Sequence, residues 1–178
     1  MGNLTGRLSE RIAVHPRNFC VLFGICLLLP ALGQGENCPW LNAATAGGLL
    51  GGNVTMEVTH PGLSDTTCKF VLNTESAHAQ LEIVVHTMAT IGDEFPQILA
   101  DCGTSSTPLK AIGNEAVECT RNDGTGDVTE QIVSRVRERA FFLKWTMPKS
   151  SRAINAQLQD EIREKIRNIA EQIAGSLF

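Results

Sequence analysis

Aromatic side chains are scarce in this chain, which has no tyrosine and only two tryptophans among its 178 residues. Grooves that bind carbohydrates or peptides often depend on Trp and Tyr, because these side chains combine a large apolar surface with a polar tip. The composition therefore argues against an aromatic-lined groove of that kind. With 43% hydrophobic residues and a length that suits one domain, the chain can still build a sizeable core.

The sequence also lacks the motifs that usually identify an enzyme or a metal site. It has no G-x-S-x-G elbow of a Ser/His/Asp hydrolase, no C-x-x-C redox pair and no closely spaced cysteine pairs for zinc. The stretch 123–127 (DGTGD) is similar to a calcium loop, but the downstream glutamate is absent, and a hairpin turn is favoured. We therefore predict no catalytic residue, no metal site and no cofactor, with a hydrolase that uses an unrecognised site as the alternative.

The N-terminal segment predicts export. Three arginines within the first 17 residues precede an almost wholly apolar run over residues 19–32. That run has the length of a signal-peptide core and is short for a membrane span, and small residues precede Gln34 as at a cleavage site. We predict a signal peptide over residues 1–33 and a single secreted or periplasmic domain over residues 34–178. An uncleaved N-terminal anchor is the alternative.

Positive charge is not in excess either. The whole chain has a formal charge of −4, and removal of residues 1–33 takes away three arginines but only one acidic residue. An acidic domain is a poor partner for nucleic acid and for anionic lipid. We therefore expect an unknown ligand or protein partner, no nucleic acid and no membrane contact after signal cleavage, and the oligomeric state stays open.

Four cysteines lie in the predicted mature domain: Cys38, Cys68, Cys102 and Cys119. An even number of cysteines in an exported domain indicates disulfide bonds, and four cysteines allow three pairings. We favour Cys38–Cys68 with Cys102–Cys119, because each of these bonds closes a local unit. Loop closure would contribute roughly 3–4 kcal/mol for each bond before any strain is subtracted.

Hydrophobic periodicity predicts an α+β domain. Period-2 alternation indicates strands with one covered face, and a stripe at spacings of three and four indicates a long amphipathic helix at the end of the chain. The predicted fold is an antiparallel sheet of two three-stranded meanders, packed against N-terminal, middle and long C-terminal helices. The predicted elements are helices over 43–50, 93–102 and 152–177, strands over 54–60, 67–73, 80–88, 116–121, 128–137 and 139–147, and a loop over 103–114.

The same alternation leaves one face of the first meander pointing away from the core. This candidate binding face carries Glu57, Lys69, Glu82 and His86. Mixed charges with a few apolar neighbours are typical of a non-obligate binding surface. The ordinary alternative is a plain solvated face, which antiparallel sheets commonly have. A metal site that joins two histidines to Glu82 is a further alternative, less favoured than separate solvated side chains.

Short motifs in the chain resemble those of a group of exported bacterial domains and lipoproteins of largely unassigned role. The motifs are residues 38–42 (CPWLN), 49–52 (LLGG) and 68–70 (CKF), and residues 112–116 (IGNEA) are similar to a Gly-x-Gly-Asp-x-Ala turn. The group includes PsbP-like lipoproteins and the extracellular sensor domain of a bacterial Ser/Thr kinase. This chain departs from it in lacking a lipobox and in having no glycine at position 111. The resemblance implies an antiparallel sheet flanked by helices and a non-catalytic binding or sensor-like role, with a structural or assembly protein as the alternative.

Overall fold

The computed structural model describes residues 36–74, 78–102, 105–122, 128–147 and 156–178. Within these residues, seven strands form one antiparallel sheet in the order β1-β2-β3-β7-β6-β5-β4. The strands are β1 Thr55–Thr59, β2 Asp65–Asn73, β3 His78–Thr87, β4 Thr107–Leu109, β5 Glu115–Asn122, β6 Val128–Val136 and β7 Arg139–Met147. The helices are α1 Ala43–Leu50, α2 Ile91–Ala100 and α3 Ala156–Leu177. The predicted α+β class, with an antiparallel sheet and three helices, is confirmed.

The two predicted meanders are halves of one sheet. Strands β1 to β3 form one half and β5 to β7 form the other, and they join where β3 pairs with β7, for example Glu82 with Lys144. Asn122 pairs with Val128, so β5 and β6 form the expected hairpin, whose linking residues 123–127 lie outside the described residues.

A seventh strand lies in a segment that was predicted to be a loop, and that prediction was wrong. Residues Thr107–Leu109 pair with β5 at the edge of the sheet, with Pro108 opposite Val117. Proline is tolerated there because an edge strand leaves one row of backbone groups unpaired. A three-residue strand made by such pairing has no periodicity of its own to detect.

Local capping explains why α1 has the predicted bounds. The Asn42 side chain accepts a hydrogen bond from the Thr45 backbone N–H at 2.8 Å, and Gly51 ends the helix in the left-handed conformation at φ 88°. A Cβ on Gly47 would lie 2.5 Å from the carbonyl oxygen of Gly52. The glycine at position 47 therefore lets the chain turn back tightly against its own helix.

The start of α2 was predicted wrongly at Asp93. The helix begins at Ile91, and its first turn is held by Glu94. Glu94 Oε1 accepts hydrogen bonds from the backbone N–H groups of Ala89 and Thr90, at 2.9 and 2.8 Å. A carboxylate that reaches back to the preceding backbone caps a helix start as effectively as a side chain at the N-cap itself.

One face of the sheet, the inner face, packs on α1 and α3. The predicted stripe of α3 is buried against it from Ile166 onward, and Ile162 is partly buried, whereas the side chains at 154 and 158 lie outside the described residues. Burial of this stripe against the sheet contributes to the apolar driving force for folding. The core of the inner face contains Cys68, Phe70, Leu81, Ile83, Ile132, Leu143 and Trp145 from the strands and Leu50, Ile166, Ile169, Ile173 and Leu177 from the helices.

The opposite, outer face is covered over only half of its width. Helix α2 packs on the half formed by β5 to β7, where a second buried cluster contains Phe95, Cys102, Cys119 and Val133. The outer face of β1 to β3 has no such layer among the described residues, and Glu57 on it is exposed. The candidate binding face is therefore the uncovered half, bordered on one side by α2.

Two disulfides attach the helical layers to the sheet. Cys38–Cys68 joins the segment before α1 to the inner face of β2, and Cys102–Cys119 joins the residues after α2 to the outer face of β5. These are the two pairs that the sequence favoured. Two buried disulfides indicate a domain that folds in an extracytoplasmic, oxidising compartment.

A segment that crosses a membrane could lie either in a helix of the domain or in the N-terminal segment. Among the described residues, no helix combines the length and apolarity that a membrane crossing requires. The predicted signal peptide over residues 1–33 lies outside the described residues.

Candidate functional site

Three of the four predicted binding residues form a cross-strand row of alternating charge. Glu57 pairs with Lys69, Lys69 with Glu82, and Glu82 with Lys144 in neighbouring strands. Glu82 Oε1 lies 3.0 Å from Lys144 Nζ, and the Gln80 side-chain amide donates to Glu82 Oε2 at 3.3 Å. Opposite charges directly across strands stabilise a sheet by a few tenths of a kcal/mol, up to about 1 kcal/mol. The row therefore consists of side chains that neutralise one another.

His86, the fourth predicted residue, lies away from that row in a cluster built from three elements. Its Nδ1 lies 2.5 Å from Asp65 Oδ1 at the start of β2, and its Nε2 lies 3.0 Å from Glu94 Oε2 on α2. The side chains of His86, Asp65 and Glu94 are each about one-third exposed or less. The cluster ties the uncovered half of the sheet to the first turn of α2.

The two carboxylates control the charge of the ring. Hydrogen bonding to Glu94 and then to Asp65 raises the pKa of His86 above its ordinary value of 6.5, against a weaker opposing effect of burial. The same bond from His86, with the backbone N–H of Thr90, lowers the pKa of Glu94 below 4.5. Both contacts therefore favour the imidazolium form of His86, in which both ring nitrogens can donate, one to each carboxylate.

A cleft of about 530 Å³ opens beside this cluster, between α2 and the uncovered half of the sheet, and we call it the His86 cleft. The cleft is lined by apolar side chains from the sheet and α2. It is also lined by polar side chains from β2, β3 and α2. Its volume is within the ~300–1,000 Å³ typical of small-molecule sites. The lining residues are Pro61, Asp65, Val84, His86, Glu94, Gln97, Ile98, Asp101 and Phe142.

Most of the lining residues were missed from the sequence. Asp65 lay between the predicted strands 54–60 and 67–73, and Glu94 lay in the predicted helix 93–102, whose position on the sheet was not predicted. His86 had been assigned correctly to the outward face of β3, and Val84 lies on the same face. The alternation within each strand identifies the face on which a side chain lies, but nothing in that alternation indicates which helix will border the face.

A second histidine cluster lies at the end of β1. His60 Nδ1 is 3.1 Å from the Thr66 hydroxyl, and His60 Nε2 is 3.1 Å from Glu36 Oε2. A hydroxyl, an imidazole and a carboxylate in this spatial order are the groups that a hydrolase uses. The side chains of His60 and Glu36 are 47% and 58% exposed, however. Side chains this open do not provide the water-excluded environment in which such a triad is effective.

Glu82, His60 and His86, three of the side chains in the metal-site alternative, each have other partners in the structure. Glu82 pairs with Lys144, whereas His60 and His86 contact Glu36 and the Asp65–Glu94 pair respectively. In the described part of the chain, no group of three or more His, Cys, Asp or Glu side chains is arranged to hold a metal ion.

Comparisons with protein-family models, with curated proteins and with solved structures found no match to this chain. The resemblance to exported bacterial domains therefore stays a prediction. The geometry of the His86 cleft and the chemistry of the side chains that line it are the observations that bear on function.

Proposed function

We propose that this protein is an exported, non-catalytic binding module, sensor-like in character, that holds a small ligand in the His86 cleft. The observation that carries the proposal is the cleft itself, where an apolar floor and convergent polar groups meet at the border between α2 and the open half-sheet. This combination of apolar lining with a few positioned polar groups is typical of small-molecule sites. The proposed site includes only His86 of the four residues first expected to bind.

The hydrogen bonding of His86 favours binding over catalysis at this cleft. A general base must have a free ring nitrogen within reach of the proton that it removes. Both nitrogens of His86 lie within hydrogen-bond distance of a carboxylate, and both carboxylates favour the protonated ring. His86 therefore serves to hold Asp65 and Glu94 in place, which shapes the wall of the cleft.

Export is the second part of the proposal. The two disulfides support folding outside the cytoplasm. The basic start and the apolar run over residues 19–32 support a signal peptide that is cleaved before Gln34. The mature domain would then be secreted or periplasmic, with an uncleaved anchor as the alternative, and N-terminal sequencing of the exported protein distinguishes the two.

The binding site can be tested by nuclear magnetic resonance with a library of small fragments. We expect the chemical-shift changes of ¹⁵N-labelled protein to cluster at the lining residues of the cleft. Gln97→Trp should abolish these changes, because Gln97 is an exposed lining residue on α2. Ala100→Trp is the matched control, since Ala100 is exposed on the same helix outside the lining.

Three outcomes would contradict the binding proposal. Shifts scattered over the surface, or equal losses for both tryptophan variants, would show that the cleft is not a binding site. A constitutive oligomer whose interface covers the cleft, with no response to any fragment, would instead support a structural or assembly role.

The second candidate function is hydrolysis at the cluster of His60, Thr66 and Glu36, which the order of its groups favours. In that case Thr66→Ala and His60→Ala should each abolish turnover of a generic ester while the circular dichroism spectrum is preserved. His86→Ala provides the comparison at the other histidine. We expect no turnover above background from the wild-type protein, because the cluster is open to water.

A further inference from the structure

We propose that the His86 cleft selects a small organic cation, an ammonium group carried on an apolar stem. This inference rests on the proposed function, because it names the chemical class of ligand for the same site. The lining of the cleft includes three carboxylates, one histidine and no lysine or arginine, so acidic groups outnumber basic groups even when His86 is protonated. Complementary charge in a partly desolvated cleft provides selectivity that apolar contact alone cannot provide.

The three carboxylates have different roles. Glu94 is fully used within the protein, because Oε1 accepts from the Ala89 and Thr90 backbone and Oε2 accepts from His86. Asp65 gives one oxygen, Oδ1, to His86. Asp101 has no side-chain partner within the described residues. Asp101, after the last turn of α2, is therefore the free carboxylate that a bound ammonium group would meet, and the second oxygen of Asp65 is a separate acceptor near the first turn.

The end of α2 adds a second source of negative potential beside Asp101. Asp101 is the C-cap residue of α2, and the last turn of this helix has no basic side chain. The final carbonyl groups of a helix carry a partial negative charge that favours cations within the last turn. The cleft therefore offers an ammonium group both a free carboxylate and the negative end of a helix.

The floor of the cleft suits an apolar stem. Val84, Ile98 and Phe142 are each partly buried and line the cleft. The Phe142 ring already attracts one cation, since Lys144 Nζ lies 5.9 Å from the ring centroid. Lys144 is paired with Glu82, so this pair adds no net charge beside the cleft.

Three six-carbon probes separate the contribution of the charge from that of the stem. Hexylamine, hexanol and hexanoate share one stem and carry a positive, a neutral and a negative head group at pH 7. In titrations of ¹⁵N-labelled protein, we expect hexylamine to bind about tenfold more tightly than hexanol, the size of one partly screened charge pair. Hexanoate should bind more weakly than hexanol.

Asp101→Asn tests the head-group contact directly. Asp101 is exposed and outside the core, so the fold should persist and the preference for hexylamine over hexanol should fall several-fold with hexanol binding unchanged. Asp93→Asn removes an exposed acid from the same helix outside the lining and should leave the preference intact.

The outcomes distinguish this inference from the broader proposal. If hexanol and hexylamine shift the cleft residues equally, or if Asp101→Asn and Asp93→Asn behave alike, the cation selectivity is wrong although the cleft binds ligands. If all three probes shift residues elsewhere and none in the cleft, both the selectivity and the binding site are wrong.

Discussion

The disulfide Cys102–Cys119 should control the stability of α2 and, through α2, the His86 cleft. Both sulfurs are buried in the cluster beneath α2, and the bond joins positions 17 residues apart. Among the side chains of α2 itself, Phe95 is the buried one. The helix is therefore held on the sheet by one aromatic side chain, by partly buried neighbours and by this covalent bond.

The size of the effect follows from the closed loop. Replacing both cysteines with alanine releases a loop of 17 residues, which loop-closure entropy converts to about 3 kcal/mol of lost stability. For a domain of this size that loss lowers the melting temperature by about 10 °C. The same loop-closure calculation for Cys38–Cys68, which spans 30 residues, gives a loss of about 3.6 kcal/mol in stability. Removal of either disulfide should thus lower the stability by a similar amount, but the region that is locally destabilised should differ.

Urea denaturation and amide hydrogen exchange measure the two quantities. The Cys102→Ala, Cys119→Ala variant should lose about 3 kcal/mol in the urea transition, and the amides of α2 should exchange faster than those of the central strands. The Cys38→Ala, Cys68→Ala variant is the matched control, in which α2 should keep its protection relative to the sheet. The same exchange pattern in both variants, or a loss below about 1 kcal/mol in the Cys102→Ala, Cys119→Ala variant, would show that this bond does not hold α2 on the sheet.

Three further predictions concern the core, a turn and the charge of the cleft. Ile173→Ala should cost about 2–5 kcal/mol in urea denaturation, because Ile173 is fully buried; a loss below this range would show that α3 is not packed as described. Gly113→Ala should lower the melting temperature, because its φ is +65° and a Cβ would lie 2.5 Å from the Arg135 carbonyl oxygen, whereas Gly92→Ala, with open space around its Cβ, should not. The stability that protonated His86 contributes should be fully present below pH 6.5 and should decline as the pH rises through the raised pKa of His86. In urea denaturation at a series of pH values, the His86→Asn variant should not show this decline. A His86→Asn variant with the same pH profile as the wild-type protein would contradict the contacts assigned to His86.

Features that depend on local chemistry could be predicted from the sequence. The bounds of α1 were correct because Asn42 and Gly51 act on backbone groups within a few residues of themselves. The stripe of α3 and the alternation of the strands were visible because burial of one face imposes a period on neighbouring positions. The two disulfides joined the cysteines that lie nearest in sequence, as expected when each bond closes a local unit.

Features that depend on which elements meet were decided by the tertiary structure alone. Every strand has two hydrogen-bonding edges that its sequence does not distinguish, so the pairing of β3 with β7 and the edge strand β4 were not predicted. The position of α2 depends on an apolar patch formed jointly by β5, β6 and β7. Asp65, His86 and Glu94 come together only after that helix has docked. The sequence by itself thus determined the elements, their buried faces and the covalent links, whereas the cleft exists only through long-range packing, because no single segment contains its walls.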